Sequence, residues 1–189
     1  MKNDVKKLRE DRRDGQDETR QKARLVDILK DVTSDINLNL NLAYWDSVGK
    51  GNSRNSIILT ESGEFIKPNE IDYKPVEGRD SKRLDGLAIV SNGVKNINLY
   101  FFCKYTKENG GMQKNIKYEV TKTSENMSKY EGNDSLLFFL LEGDLWNKDE
   151  TFKHDKGFIN NSILLPTNGD DKAIAQKIKE SILNSYYTK

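Results

Sequence analysis

The chain holds one cysteine, Cys103, and one histidine, His154, among 189 residues. A single thiol cannot form an internal disulfide. One Cys and one His cannot build the four-ligand cage of a structural zinc site. Any metal must then be held by carboxylates and carbonyl oxygens, a donor set that selects hard ions such as magnesium. His154 lies in a polar stretch without a Ser or Cys partner in a recognisable motif, so there is no triad. Excess charge is also missing, because 31 basic groups against 30 acidic ones leave +1. No global field therefore draws the chain to nucleic acid, although a local basic patch stays open. No apolar run approaches the roughly 18 residues that cross a bilayer, and the N-terminus lacks a signal-peptide core. P-loop, dinucleotide-binding and kinase signatures are absent. The expectation is a reduced, cytoplasmic protein that makes no membrane contact.

What is present divides at residue 24. Residues 1–24 alternate basic and acidic groups with little apolar content beyond Val5 and Leu8, and Gly15 interrupts them. They read as a charged arm or a solvated helix. Residues 25–189 read as a single domain. Leu25, Ile28, Leu29, Val32 and Ile36 recur at helical spacing and predict one buried stripe. The alternation from Ile36 to Trp45 predicts an edge strand. Ile57–Leu59 predicts a short strand, 67–83 a long polar loop, Leu84–Val90 a strand entered by an acid, and Ile97–Cys103 its hairpin partner across Ser91-Asn92-Gly93. A polar helix follows, reaching about Tyr130. The wholly apolar Leu136–Leu141 predicts a strand buried on both faces, and Ile163–Leu165 a shorter one. A last helix opens at Asp170 or Asp171, acids suited to a helix N-terminus. This order predicts an α/β domain, a central mixed sheet flanked by helices.

One constellation suits chemistry. Asp85 opens one strand and Lys104 closes the next, so an antiparallel pair can set them side by side at one sheet edge. Gly86 behind the acid would let the backbone pass close to a ligand. A carboxylate beside a lysine suits metal-assisted phosphodiester hydrolysis, the ion polarising the phosphoryl oxygen and the ammonium stabilising the charge that develops. An ordinary surface acid and a strand-end lysine fit the spacing as well, and spacing alone favours that plainer reading.

The wider pattern resembles a family. RLDGLAIV, then the apolar run ending in CKY, is similar to the core of PD-(D/E)xK nucleases, whose best-known members are the type II restriction endonucleases. The polar stretch KYTKENGGMQKN, the helix-like YEVTKTSENM and the strand SLLFFLLEGDLW follow in the family's order, and the last resembles its EcoRI-like branch. LAYWDSVGKGNSRNSI is faintly similar to the region before that branch's catalytic sheet, so the likeness spans residues 40 to 146. It implies a restriction-endonuclease-like fold and a magnesium-dependent endonuclease that cuts double-stranded DNA at a short specific sequence. It also implies a homodimer, since a two-fold protein reads a palindrome.

Asp85 and Lys104 fall on the motif. Leu84 replaces the motif proline, a common variation. Phe102 replaces the acid expected two positions before the lysine, and a phenyl ring cannot ligate a metal. Some relatives carry that acid on the following helix, which points to Glu119; Glu108 lies in the loop, and Asp72 is a weaker substitute for Asp85. The resemblance thus implies Asp85, Glu119 and the Cys103 carbonyl as magnesium ligands, with Lys104 placing the water. If nothing replaces Phe102's missing acid, the chain is a silent nuclease-fold protein that binds DNA or a protein partner. For DNA contact the candidates are Lys82, Arg83, Lys107, Gln113, Lys114, Asn115 and Lys117, with Lys122 and Lys129 extending the patch. Lysines bind phosphate without regard to sequence, while Gln and Asn can read adenine edges. Taken alone, each of these residues reads first as an ordinary solvated side chain. Cys103 reads as an inert core thiol, and Trp45 and Trp146 as core or rim aromatics.

Overall fold

The computed structural model describes residues 2–45, 57–67, 81–106, 113–143, 146, 161–166 and 170–187, with side chains from residue 19 onward and, in the helix opening at Gln113, from residue 115. The first helix, α1 (Lys2–Asp35), runs through Gly15 without a break. Its C-terminal half buries the expected stripe of Leu25, Ile28, Leu29 and Val32. Asn37, at φ 53°, ends it in the left-handed conformation that Asn tolerates, and the amide of Leu38 returns to the Thr33 carbonyl.

The main sheet has five strands in the order β1 (Asn39–Trp45), β5 (Gly86–Ser91), β6 (Asn96–Tyr105), β7 (Ser135–Glu142) and β8 (Ser162–Leu164). β1–β5 and β5–β6 pair antiparallel, while β6–β7 and β7–β8 pair parallel. The sheet is therefore mixed, as expected, with β1 at its edge. A hairpin joins β5 to β6. There the Asn92 side chain accepts from the amides of Val94 and Lys95 at 2.9 and 2.8 Å, fixing the turn. Parallel neighbours need a crossover, and between β6 and β7 it is α2 (Gln113–Met127). The last helix, α3 (Asp171–Tyr187), is capped by Asp170, which accepts from the Lys172 amide at 2.9 Å.

Two apolar layers sandwich this sheet. On one face α1 and α3 pack Leu25, Leu29, Ile174, Ile178 and Ile182 against Leu99, Phe101, Cys103, Phe138 and Leu140. On the other, Val120 and Met127 of α2 meet Tyr100, Phe102, Leu137, Phe139 and Leu141. β7 is covered on both sides, which is why its sequence shows no alternation.

The stretch Leu84–Val90, expected as one strand, is broken at Asp85. Leu84 ends β4 (Lys82–Leu84), which pairs with β2 (Ile57–Leu59) in a second, three-stranded sheet completed by β3 (Phe65–Ile66). Gly86 begins β5 in the main sheet. The partner of β4 lies far back in the chain, so local periodicity could not reveal it, and Lys82 and Arg83 leave the expected loop for a strand. Residues 68–80 of that loop lie outside the described residues.

Candidate functional site

The bend at Asp85 has a physical cause that also builds the site. β5 pairs with β6 only as far as Gly86 opposite Phe101. Beyond that the chain turns into β4, and β6 continues to Tyr105. Asp85 bridges the gap. Its amide donates to the Phe101 carbonyl at 2.8 Å, and its Oδ2 accepts from the Cys103 amide at 2.7 Å. The carboxylate thus stands in for a strand acceptor. The same bond brings the acid to the residue next to Lys104.

Side chains alternate along β6. Cys103 enters the face covered by α1 and is 1% exposed, the inert thiol expected. Phe102 enters the α2 face, 3% exposed, with its ring 5.6 Å from that of Phe139. The Lys104 ammonium lies 5.3 Å from the Phe102 ring centroid and 3.7 Å from Glu119 Oε2 on α2. Lys104 and Glu119 therefore meet.

Asp85 has a different cationic partner. Lys22 of α1 sets its Nζ 2.8 Å from Asp85 Oδ1. Its neighbours anchor the same helix to the end of β7: Gln21 donates to Glu142 Oε2 at 2.8 Å, and Arg24 donates to Glu142 Oε1 at 2.7 Å and to Asp171. Burial opposes the Arg24 charge, but hydrogen bonds to Glu142 and Asp171 and their attraction outweigh it, so the guanidinium holds its proton above its ordinary value. Gln21, Lys22 and Arg24 belong to a segment that the sequence presents as an unremarked charged run. Their destination depends on a helix crossing the sheet end, and no local signal carries it.

Two of the ion pairs at this end are thus Asp85 with Lys22 and Lys104 with Glu119, beside the Arg24–Glu142–Asp171 cluster. Gly86 has a packing role that the sequence does not show. A Cβ there would lie 2.5 Å from the Trp45 ring, so the space belongs to a packed indole. Trp45 is a rim aromatic, edge-on to Phe101 with centroids 5.2 Å apart, and Trp146 is 1% exposed in the core.

Among the residues expected to contact DNA, Lys82 on β4 places its ammonium 5.6 Å from the ring of Tyr118 on α2. Arg83 and Asn115 are exposed and Lys117 is half-buried. Lys122 lies 6.0 Å from the same ring and 2.6 Å from Glu125. Lys129 is a structural tie, donating to the Glu61 carbonyl at 2.6 Å. Tyr118, 45% exposed between two lysines, escaped the sequence reading because nothing in the spacing marks it. Gln113 and Lys114 open α2, but their side chains lie outside the described residues, as do Lys107, Glu108, Asp72 and His154 entirely.

The donors suit a hard ion in kind, being carboxylate oxygens at one end of the sheet. The Lys22 ammonium, seated on Asp85, already balances the charge of that carboxylate. Among the described residues no group of three or more Asp, Glu, His or Cys side chains converges on one point, and Asp85 and Glu119 are each paired with a lysine. Comparison with known proteins finds no matching family model, no matching curated protein and no matching solved structure. The likeness to PD-(D/E)xK nucleases therefore stands on these residues alone. Among the described residues no helix is long and apolar enough to cross a membrane.

Proposed function

We propose that the chain is a magnesium-dependent DNA endonuclease of the type II restriction class, acting in the cytoplasm as a homodimer on a short sequence in double-stranded DNA. One observation carries this reading: Asp85 is hydrogen-bonded to the residue beside Lys104, and Lys104 is 3.7 Å from Glu119. Three charged residues singled out by the motif pattern thus share one end of the sheet. When bound by Asp85 and Glu119, magnesium would polarise the phosphate and make a bound water more acidic. Lys104 has the complementary role. Projecting from a central strand, its ammonium orients water and stabilises negative charge gathering on the phosphate. Lys82 and Arg83 on β4 and Lys117 on α2 supply phosphate contacts beside it, and a two-fold pair of chains matches a palindromic site.

The test is conversion of supercoiled plasmid to open-circular or linear DNA with magnesium. Asp85→Asn and Lys104→Ala, each shown folded by circular dichroism, are expected to lose it. Equal cutting by parent and both variants would show the site assignment to be wrong.

A second reading, a nuclease-fold protein that binds DNA or a protein partner without cutting, is favoured by Phe102, a buried ring at the position of the missing acid. It expects salt-dependent DNA retention and no cleavage with magnesium or manganese. An active parent sinks it.

A further inference from the structure

We infer that β1 is a dimer interface, at which two copies pair antiparallel through Asn39–Leu42 and join their five-stranded sheets into one. The inference goes beyond the reading above, which asks for a homodimer without placing its contact, and it does not depend on DNA cleavage. β1 pairs with β5 on one side and is the last strand of the sheet on the other. An edge strand presents a row of amides and carbonyls to any incoming strand, and chains guard such edges with charge, proline or brevity. Among the described residues the other edges follow that rule. β8 has three residues with Pro166 close behind, β3 has two, and β4 has three that include Lys82 and Arg83. β1 has seven, and from Ile36 to Trp45 the chain carries no charged residue, proline or glycine, although 32% of it is charged. Its guard is the irregularity between Leu42 and Tyr44, which leaves Asn39–Leu42 regular.

The pattern within that segment selects a second copy as the occupant. Strands related by a two-fold axis run antiparallel, and one patch faces itself. With the axis at Leu40, that residue meets its own copy, Asn39 lies opposite the other chain's Asn41, and Leu38 opposite its Leu42. Like meets like on both faces. Leu38, Leu40 and Leu42 are half-buried against the core beneath α1, so pairing extends that apolar layer from one chain to the next. Asn39 and Asn41 are exposed on the other face, where an amide both donates to and accepts from its counterpart. A charged strand would meet its own charge across such an axis, and this one has none to meet.

Sedimentation velocity of the full chain over a range of concentrations tests this, with the parent expected to dimerise. Asn39→Lys combined with Asn41→Lys sets two pairs of ammonium groups opposite each other and is expected to weaken the dimer about tenfold or more. Asn39→Lys combined with Asn41→Glu gives each new lysine a glutamate from the other copy, and is expected to dimerise at least as tightly as the parent. Both positions are exposed in the single chain, so each variant should fold, as circular dichroism checks. A parent that stays monomeric at every concentration would overturn the inference and leave the edge to a strand of another protein. A dimer indifferent to both variants would overturn it too. Should either variant not fold, amide exchange of the parent decides. Residues 38–42 are expected to exchange more slowly when the chain is dimeric than when it is diluted to monomer, and equal rates would be contrary. A β1 dimer that fails to cut plasmid removes the endonuclease reading and leaves this one standing. Cutting by a chain whose dimer ignores both variants does the reverse.

Discussion

The amide of Cys103 donates to Asp85 Oδ2 at 2.7 Å across the place where β5 leaves β6. The carboxylate is therefore part of the frame as well as of the site. A buried amide left without an acceptor costs more than the bond itself is worth, so two roles are superimposed on one side chain.

Substitutions at Asp85 separate these roles. Asp85→Ala leaves the Cys103 amide and the Lys22 ammonium without this acceptor and is expected to cost about 2 kcal/mol. Asp85→Asn keeps an oxygen for the amide and should cost less than half as much. Urea unfolding of both measures the difference, and an Asn variant no more stable than the Ala one would remove Asp85 from the frame.

Phe102 sits deep against Phe139 and beneath the Lys104 ammonium. Restoring the motif acid with Phe102→Glu removes a buried ring and puts a carboxylate into an apolar layer, with the neighbouring Lys104 to offset part of its charge. The loss expected is about 3 kcal/mol or more. Phe102→Leu should lose less, because an apolar side chain still fills most of the space. Denaturation midpoints check this, and a Glu variant as stable as the parent would mean that the layer admits water.

Gly86→Ala is expected to be destabilising, since its Cβ would approach the Trp45 ring to 2.5 Å and a packed indole has little room to move. Combining it with Trp45→Leu should recover part of the loss, a coupling read from a double-mutant cycle. Strict additivity would place the strain elsewhere.

Alkaline pH offers a further check. Burial, then a hydrogen bond to Asp134, raises the Tyr130 hydroxyl above its ordinary value of 10.0. Burial raises Tyr186, which donates to the Val90 carbonyl at 3.1 Å. Both phenols are neutral in folded and unfolded chains well below pH 10, so their contribution is complete there. As pH climbs past 10 the unfolded chain ionises first, and stability falls until the folded pKa is passed. Tyr130→Phe should flatten this slope in urea midpoints taken from pH 9 upward, within roughly the first unit above the unfolded value. An unchanged slope would mean that Tyr130 titrates normally.

Much of the fold was legible because helices and strands write their period into the chain. The stripes of α1 and α3, the edge strand β1 and the doubly covered β7 all appear where the sequence places them. Of the β3–β2–β4 sheet the apolar β2 was legible, but β3, β4 and their pairing were not, since its register joins residues far apart with little pattern of their own. Asp85, Lys104 and Glu119 could be named from residue type and order. Lys22 could not, because its role depends on where α1 crosses the sheet. The packing role of Gly86 was not legible either: a glycine that admits a ligand and one that admits Trp45 look alike in one dimension.

The hydrogen bond between Gln21 and Glu142 spans 121 positions, whereas that between Asp85 and Cys103 spans 18. Contacts close in sequence form at little entropic expense, and distant ones wait for the chain between them to order. The β5–β6 hairpin, carrying Asp85 and Lys104, is also made before β7 as the chain is synthesised from its N-terminus. The acid and lysine thus exist as a local unit before the first helix can be fastened by Glu142. The polar end of the sheet is consequently expected to form late in folding, and a chain halted before β7 would carry the motif without the clamp that holds the Lys22 segment.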